Sequence, residues 1–278
     1  MRSEKLRIGE ICYANVTPIY TTLKSGFDCG PYEFVTGEPS LLNAMLARGE
    51  VDVSASSSIE YARHADEYLI IPDLSISSSG EVGSILFFSK RPIYDLDGRE
   101  VAVSSASATS TVLLKVLLKF KYGIEPAFKP MTPKLSYMLD GADAALLIGD
   151  EALKERMALP EGSGLSVYDL GREWDDFTGL PFVYALWMIR ADSAERLSDA
   201  ASGLKRDLLR ARDNSMKEYG NIALTAPESA WMGADGLVSY WRAMSYRLGE
   251  GHIEGLMRYL GYAKEVGEIP AVPRLKFF

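Results

Sequence analysis

The chain alternates short apolar runs with helix-patterned stretches, and it does so in two series separated by longer apolar runs. Residues 6–13 alternate apolar and polar side chains as a half-buried strand does, and Asn15-Val16-Thr17-Pro18 leads into a helix to about residue 25. Pro18 suits a first helical turn, where its missing N–H would have no partner anyway. A second strand is predicted over 32–36. Ser40 is placed to cap a helix with Leu41, Leu42, Met45 and Leu46 on one face, and Gly49 ends it. A third strand over 51–55, a helix over 59–64 and a strand over 67–72 follow. This alternation builds a mostly parallel sheet with helices on its faces.

The second series repeats the pattern: a strand over 100–104, then a helix over 108–122 with Val112, Leu113, Val116, Leu117 and Phe120 on one face and a stop at Gly123. A short helix over 134–139, a strand over 144–148, a helix over 151–157 and a strand over 167–170 complete it. Two nearly continuous apolar runs, 82–89 and 182–189, flank this series. They read as strands crossing between lobes, the middle lobe being inserted into the outer one. Residues 1–88 and 190–278 are expected to form the outer lobe and 89–189 the inserted one. A ligand would then sit in a cleft between lobes, with the two runs carrying the hinge. From residue 192 onward the signal is helical, with Leu197, Leu204 and Leu208 on one face and a later helical stretch over 227–261. No internal sequence repeat is visible.

Three hydroxyl-rich turns close apolar runs of this pattern. They are Ser54-Ala55-Ser56-Ser57-Ser58, Ser75-Ile76-Ser77-Ser78-Ser79-Gly80 with Ser84 beyond it, and Ser104-Ser105-Ala106-Ser107-Ala108-Thr109-Ser110. Helical periodicity resumes directly after the first and third. Hydroxyls beside the N–H groups of a helix start can bind carboxylates or phosphates without a metal or a basic residue. Serines also serve simply as caps and loops, and both readings stand for each turn.

Composition narrows the chemistry. At 278 residues and 47% apolar content, the chain can bury a large α/β core. A net charge of −8 is opposite to what a nucleic-acid binder needs. No apolar stretch approaches the roughly 20 residues of a membrane span, and no secretory leader is visible, so a cytoplasmic protein is expected. Cys12 and Cys29 could form one disulfide, but two small buried thiols fit a reducing compartment better. His64 and His252 are the only histidines, neither with a second histidine at ligand spacing, and both read as surface or helix-end residues. Zinc sites and histidine-dependent triads are therefore unexpected. No phosphate loop or dinucleotide fingerprint is present.

Several segments, taken in order, are similar to a known family. Gly9-Glu10-Ile11-Cys12-Tyr13-Ala14-Asn15-Val16-Thr17-Pro18-Ile19-Tyr20 resembles the opening of the menaquinone-pathway family that contains chorismate dehydratase. So do Val51-Asp52-Val53, Ser58-Ile59-Glu60-Tyr61-Ala62, Gly83-Ser84, Ser89-Lys90, Ser107-Ala108-Thr109-Ser110 and Leu147-Ile148-Gly149-Asp150-Glu151-Ala152-Leu153. The stretch from Tyr168-Asp169-Leu170 through Trp174 to Thr178-Gly179-Leu180-Pro181-Phe182-Val183-Tyr184-Ala185 extends the match over roughly 6–190. The resemblance implies a two-lobed, type II periplasmic-binding-protein-like fold of mixed sheets with helices on both faces. It implies one of two activities: water loss from chorismate to give 3-[(1-carboxyvinyl)oxy]benzoate, or a later step on a dehypoxanthinyl futalosine compound. The sister enzyme carries its catalytic histidine in an Ile-His-Glu segment, where this chain reads Ile148-Gly149-Asp150. The first activity is favoured; a binding protein for a small anion, without catalysis, is the other alternative.

The resemblance also weights individual residues. Asn15 and Ser84 are the expected catalytic pair: an amide after the first strand, and a hydroxyl after Gly83, where backbone can approach a ligand. Their plain alternatives are a cap before Pro18 and a strand serine bonded to a carbonyl. Ser56, Ser57, Ser107, Thr109, Ser110, Gly149 and Asp150 are the expected substrate contacts, with helix capping as the alternative for Thr109, Ser110 and Asp150. The oligomeric state is not readable. Neither a metal nor an organic cofactor is expected, since hydroxyls, amides and the substrate's own groups suffice. Exhaustive chelation should therefore leave chorismate turnover unchanged; turnover lost on chelation and restored by one metal ion would overturn this.

Overall fold

A computed structural model describes residues 4–104 and 108–278, which fall into two compact α/β units. The elements in chain order are β1 (Leu6–Ile11), α1 (Thr17–Gly26), β2 (Tyr32–Gly37), α2 (Pro39–Ala47), β3 (Val53–Ser57), α3 (Ser58–Arg63), β4 (Tyr68–Ser78) and β5 (Ile85–Ser89). After a 3₁₀ turn at Ile93–Leu96 come β6 (Glu100–Ser104), α4 (Ala108–Val116), which widens into a π-helical turn at Leu117–Lys121, β7 (Ala127–Met131) and α5 (Leu135–Asp140). Then follow β8 (Ala144–Ile148), α6 (Gly149–Ala158), β9 (Ser166–Asp169), α7 (Leu170–Thr178) and β10 (Phe182–Arg190). The remainder is helical: α8 (Ala191–Arg196), α9 (Ser198–Thr225), α10 (Ser229–Met232), α11 (Ala234–Ala243) and α12 (Glu250–Glu265).

Each unit holds one five-stranded sheet, ordered β2-β1-β3-β10-β4 in the first and β7-β6-β8-β5-β9 in the second. In both, a β-α-β-α-β series sets three parallel strands with the earliest in the middle, and an antiparallel strand closes on the third. Thus β1 lies parallel to β2 and β3, while β10 runs antiparallel to β3 with Ala185 opposite Ser57. Likewise β6 lies parallel to β7 and β8, while β5 runs antiparallel to β8 with Ile85 opposite Ile148. The repeat is one of topology, visible in the sequence as two series of strand and helix patterns but not as repeated residues.

The first unit comprises Met1–Ile76, Ala185–Gly249 and Pro273–Phe278. Its longest element, α9, buries Ala201, Leu204, Leu208, Ala211, Ser215, Tyr219 and Ile222, the three-and-four spacing of a single helical stripe. The second unit comprises Ser77–Tyr184 and Glu250–Val272. One face of its sheet packs Leu86, Phe88, Ala102, Ala145 and Leu147 against Leu135, Met138 and Leu139 of α5.

The units differ from the expected division at 88/89 and 189/190. The earlier chain passage lies within β4, at Ile76–Ser77, so residues 82–89 belong wholly to the second unit, whereas the later one falls inside the expected run, at Tyr184–Ala185. The second unit also takes in α12, for a steric reason. A Cβ on Gly255 would stand 2.0 Å from the carbonyl oxygen of Pro181, so the helix backbone lies directly against the start of β10. Among the described residues no helix is long and apolar enough to cross a membrane. Cys12 is exposed, just past the last residue of β1, and Cys29 is half-buried; neither is in a disulfide, and the expected burial of the two thiols is corrected.

Asp52 ties the first unit together. Fully buried, it accepts the Arg7 guanidinium at 2.8 and 2.9 Å, the Arg7 N–H at 2.8 Å, the Ser193 hydroxyl at 2.7 Å and Arg196 at 3.2 Å. Burial pushes its carboxyl up, but the bonds from Arg7 and Ser193 outweigh burial and hold it below the ordinary carboxylate value. Its stabilisation is then complete above the unfolded pKa of about 3.9 and is lost as pH falls through the lower folded value. Asp52→Asn should cost about 1–3 kcal/mol near neutrality. In urea titrations the gap between wild type and variant should close below about pH 4; a gap independent of pH would contradict the assignment.

Candidate functional site

In each sheet the parallel strands point their C-terminal ends to one edge, where carbonyls end and the N–H groups of the next helix begin. Most of the expected site residues lie at such edges.

In the first unit Asn15 occupies the turn between β1 and α1, closed by Val16 N–H donating to the Tyr13 carbonyl at 3.2 Å. The carbonyl of Ala14 accepts the Trp241 indole N–H at 2.8 Å, and that of Asn15 accepts the Tyr246 hydroxyl at 2.6 Å. Two residues on, the Thr17 hydroxyl donates to Glu228 at 2.8 Å. The backbone of this turn is thus occupied, yet the buried Oδ1 of Asn15 has no partner among the described residues. The same holds for the second carboxylate oxygen of Glu228 and for the hydroxyl of Ser56, which is buried in β3 opposite Leu186. Ser57, at the end of β3, is engaged: its hydroxyl accepts from Asn43 at 3.2 Å and its N–H donates back to the Asn43 side chain at 3.4 Å.

In the second unit Ser84 is buried just before β5, and its carbonyl accepts the Gly149 N–H at 2.7 Å. This bond brings two expected residues side by side at one edge. Gly149 opens α6 with φ +61°, a left-handed conformation that favours glycine and strains any side chain. Asp150 follows it, half-buried. Thr109 and Ser110 sit in the first turn of α4, after β6, and are both buried; the Thr109 carbonyl accepts the Tyr259 hydroxyl at 3.2 Å. Ser107 lies outside the described residues. Of the histidines, His64 ends α3 between Glu60 and Glu67, and His252 is half-buried in α12, where burial lowers its pKa.

Residues absent from the expectations do much of the positioning. Asp169 accepts four backbone N–H groups: Val82 at 3.1 Å, Gly83 at 2.6 Å, Gly171 at 2.9 Å and Arg172 at 3.1 Å. It caps α7 and also fixes the loop that presents Ser84. Burial pushes its carboxyl above the ordinary value, against the pull of those four donors. The Tyr168-Asp169-Leu170 segment marked this place in sequence, but a capping role toward a loop some 86 residues earlier has no local signal. Glu228, Trp241 and Tyr246 are likewise far from Asn15 in the chain.

Solved structures place the chain among proteins of the periplasmic-binding-protein fold. It is similar to AF1704 from Archaeoglobus fulgidus, with a TM-score of 0.77 and 21% identity over 97% of this chain and 100% of that one. It is also similar to the periplasmic aliphatic sulphonate binding protein SsuA from Escherichia coli, with a TM-score of 0.67 and 15% identity over 99% and 94% of the two chains. Within that class, residues 6–265 match the model of the menaquinone biosynthesis family, and the chain belongs to it. A chorismate dehydratase of Thermus thermophilus is 36% identical over 194 residues, 65% of this chain and 68% of the relative. The 1,4-dihydroxy-6-naphtoate synthase of the same organism is 26% identical over 252 residues, 89% and 82% of the two chains.

Asp169→Asn keeps the shape but turns an amide N–H toward backbone donors that need an acceptor. It should lower stability by about 1–3 kcal/mol, the cost of leaving buried donors unmet. Denaturant unfolding checks this; a variant as stable as wild type would show that these bonds contribute nothing net.

Proposed function

We propose that the chain is a carbon–oxygen lyase that removes water from chorismate to give 3-[(1-carboxyvinyl)oxy]benzoate. The observation that carries this reading over the sister activity is Gly149. A histidine there would have to adopt the φ of +61° found at this position. The greater identity to a chorismate dehydratase than to the naphtoate synthase agrees with it.

The reaction asks little of a protein acid or base. The C3–H bond breaks and its electron pair becomes the third ring double bond, while the C4–O bond breaks and hydroxide leaves with the proton as water. Negative charge at C3 delocalises through the diene to the C1 carboxylate, and aromaticity drives the step downhill. The carboxylate on the enolpyruvyl arm can reach the C3 proton and serves as base. The protein's part is to orient the substrate and stabilise developing charge with fixed donors.

Asn15 suits this part because its amide is held on a turn whose two central carbonyls are bonded, while Oδ1 keeps an unused acceptor. Its amide N–H groups hold a substrate carboxylate or the leaving hydroxyl, and Oδ1 accepts a hydrogen bond from a substrate hydroxyl. Ser84 donates from a loop anchored by Asp169. Thr109, Ser110 and Asp150, at helix starts, supply further polar groups for the carboxylates.

Asn15→Ala and Ser84→Ala should each lower turnover by about 10²-fold or more, the usual scale for one aimed donor. Mass spectrometry of purified protein with chorismate reads both the product and the loss. Binding of chorismate without any aromatic product would favour the anion-binding alternative.

A further inference from the structure

The turn that carries Asn15 is held in an uncommon way. In a four-residue turn the carbonyls of the two central residues point outward and usually meet water. Here the central residues are Ala14 and Asn15, and both carbonyls meet buried side-chain donors, Trp241 at 2.8 Å and Tyr246 at 2.6 Å. The Ala14 carbonyl belongs to the peptide plane before the Asn15 Cα, and the Asn15 carbonyl to the plane after it. Holding both planes fixes φ and ψ of Asn15, and so the direction of its Cα–Cβ bond.

The two donors are themselves immobile. Trp241 is fully buried in α11, and its ring lies 5.5 Å from that of Tyr219. Tyr246 is buried in the segment after α11, where its carbonyl accepts Ser75 N–H at 3.1 Å and the next carbonyl accepts the Ser75 hydroxyl at 2.7 Å. Burial and the neighbouring Tyr219 and Tyr240 raise the Tyr246 phenol well above its ordinary pKa, so it stays a donor at any working pH. Each bond also satisfies a buried donor. Their common effect is on one residue, and that residue has a buried side-chain oxygen without a partner.

We infer that Tyr246 and Trp241 are positioning residues for the reaction, fixing the Asn15 backbone from both sides so that its amide meets substrate in one orientation. Its kinetic consequence rests on the chorismate reading above; its structural consequence does not.

The full chain is compared as wild type, Tyr246→Phe, Asn15→Ala, the double variant, and Tyr32→Phe as a control that removes a hydroxyl of the same unit bonded to Asp207, outside the turn. Tyr246→Phe should lower kcat about tenfold with KM nearly unchanged, and Tyr32→Phe should leave both at wild-type values. In the Asn15→Ala background Tyr246→Phe should cost nothing more, because the group it aims is gone. A wild-type kcat in Tyr246→Phe, or an equal loss in both backgrounds, overturns the inference. Should Tyr246→Phe not fold, Trp241→Phe enters the same comparison. Should wild type not convert chorismate, the functional reading fails, and the inference is judged by NMR. The Asn15 side-chain amide pair, identified by its loss in Asn15→Ala, should shift or broaden in Tyr246→Phe and not in Tyr32→Phe. A pair left unmoved in Tyr246→Phe overturns it.

Discussion

A parallel strand that feeds a helix leaves its last carbonyls and the helix's first N–H groups at the same edge of the sheet. That edge is polar by construction and cannot be covered by the apolar faces of the flanking helices. In this protein the constraint acts twice, since β1-β2-β3 and β6-β7-β8 share one topology. Asn15 and Ser57 follow from it in one unit, Thr109, Ser110, Gly149 and Asp150 in the other. Even Ser84, on an antiparallel strand, reaches its edge because β5 pairs with β8 and so begins where β8 ends.

What distinguishes these edges from ordinary loops is how completely their backbones are bonded. The Asn15 turn has its carbonyls taken by an indole and a phenol, and the Ser84 loop has its N–H groups taken by a carboxylate. Buried backbone groups left unmet would cost several kcal/mol in all, and would loosen the turns where orientation matters. Catalysis by alignment depends on such rigidity, because it has no strong acid or base to compensate for misplacement. The same logic explains why charge is scarce here: the carboxylates with the strongest bonding, Asp52 and Asp169, act on the frame.

The parallel strands and the helices between them were legible in the sequence, because each rests on local periodicity. The first two serine runs are not the turns expected: Ser54–Ser57 lie within β3 and Ser75–Ser78 within β4, where small hydroxyl side chains are buried in the sheet instead of closing it. β7 was not legible: Ala127–Met131 is a half-exposed edge strand containing Pro130, which reads as loop. α7 was missed because its short stretch, Leu170–Thr178, is acidic and its start depends on Asp169. The assignment of α12 to the second unit was out of reach, since it turns on Gly255 lying against Pro181, a contact between residues more than seventy apart. Asn15 and Ser84 are weighted as site residues by family resemblance alone, whereas the groups that hold their backbones had no signal in the sequence. Tyr246 and Trp241 look like any aromatic residues of a helical segment until the fold brings them to the first turn.

The chain passes between the two units four times, the last passage sending Pro273–Phe278 back to the first. Those six residues lie along β4, with the Ile70 N–H donating to the Lys276 carbonyl and the Phe278 N–H to the Ile70 carbonyl, at 2.8 and 2.9 Å. The second unit lacks α12, whose Tyr259 packs against Trp174 and Phe182, until that late stretch is made. During synthesis, therefore, each unit waits for chain made long after its sheet: the second for α12 and the first for Pro273–Phe278. Until then one unit shows an unpaired strand edge and the other an open aromatic cluster, both surfaces that invite wrong partners. A gene rearrangement that moved either unit as a continuous cassette would leave such a surface permanently exposed. The two halves are thus inherited together or not at all.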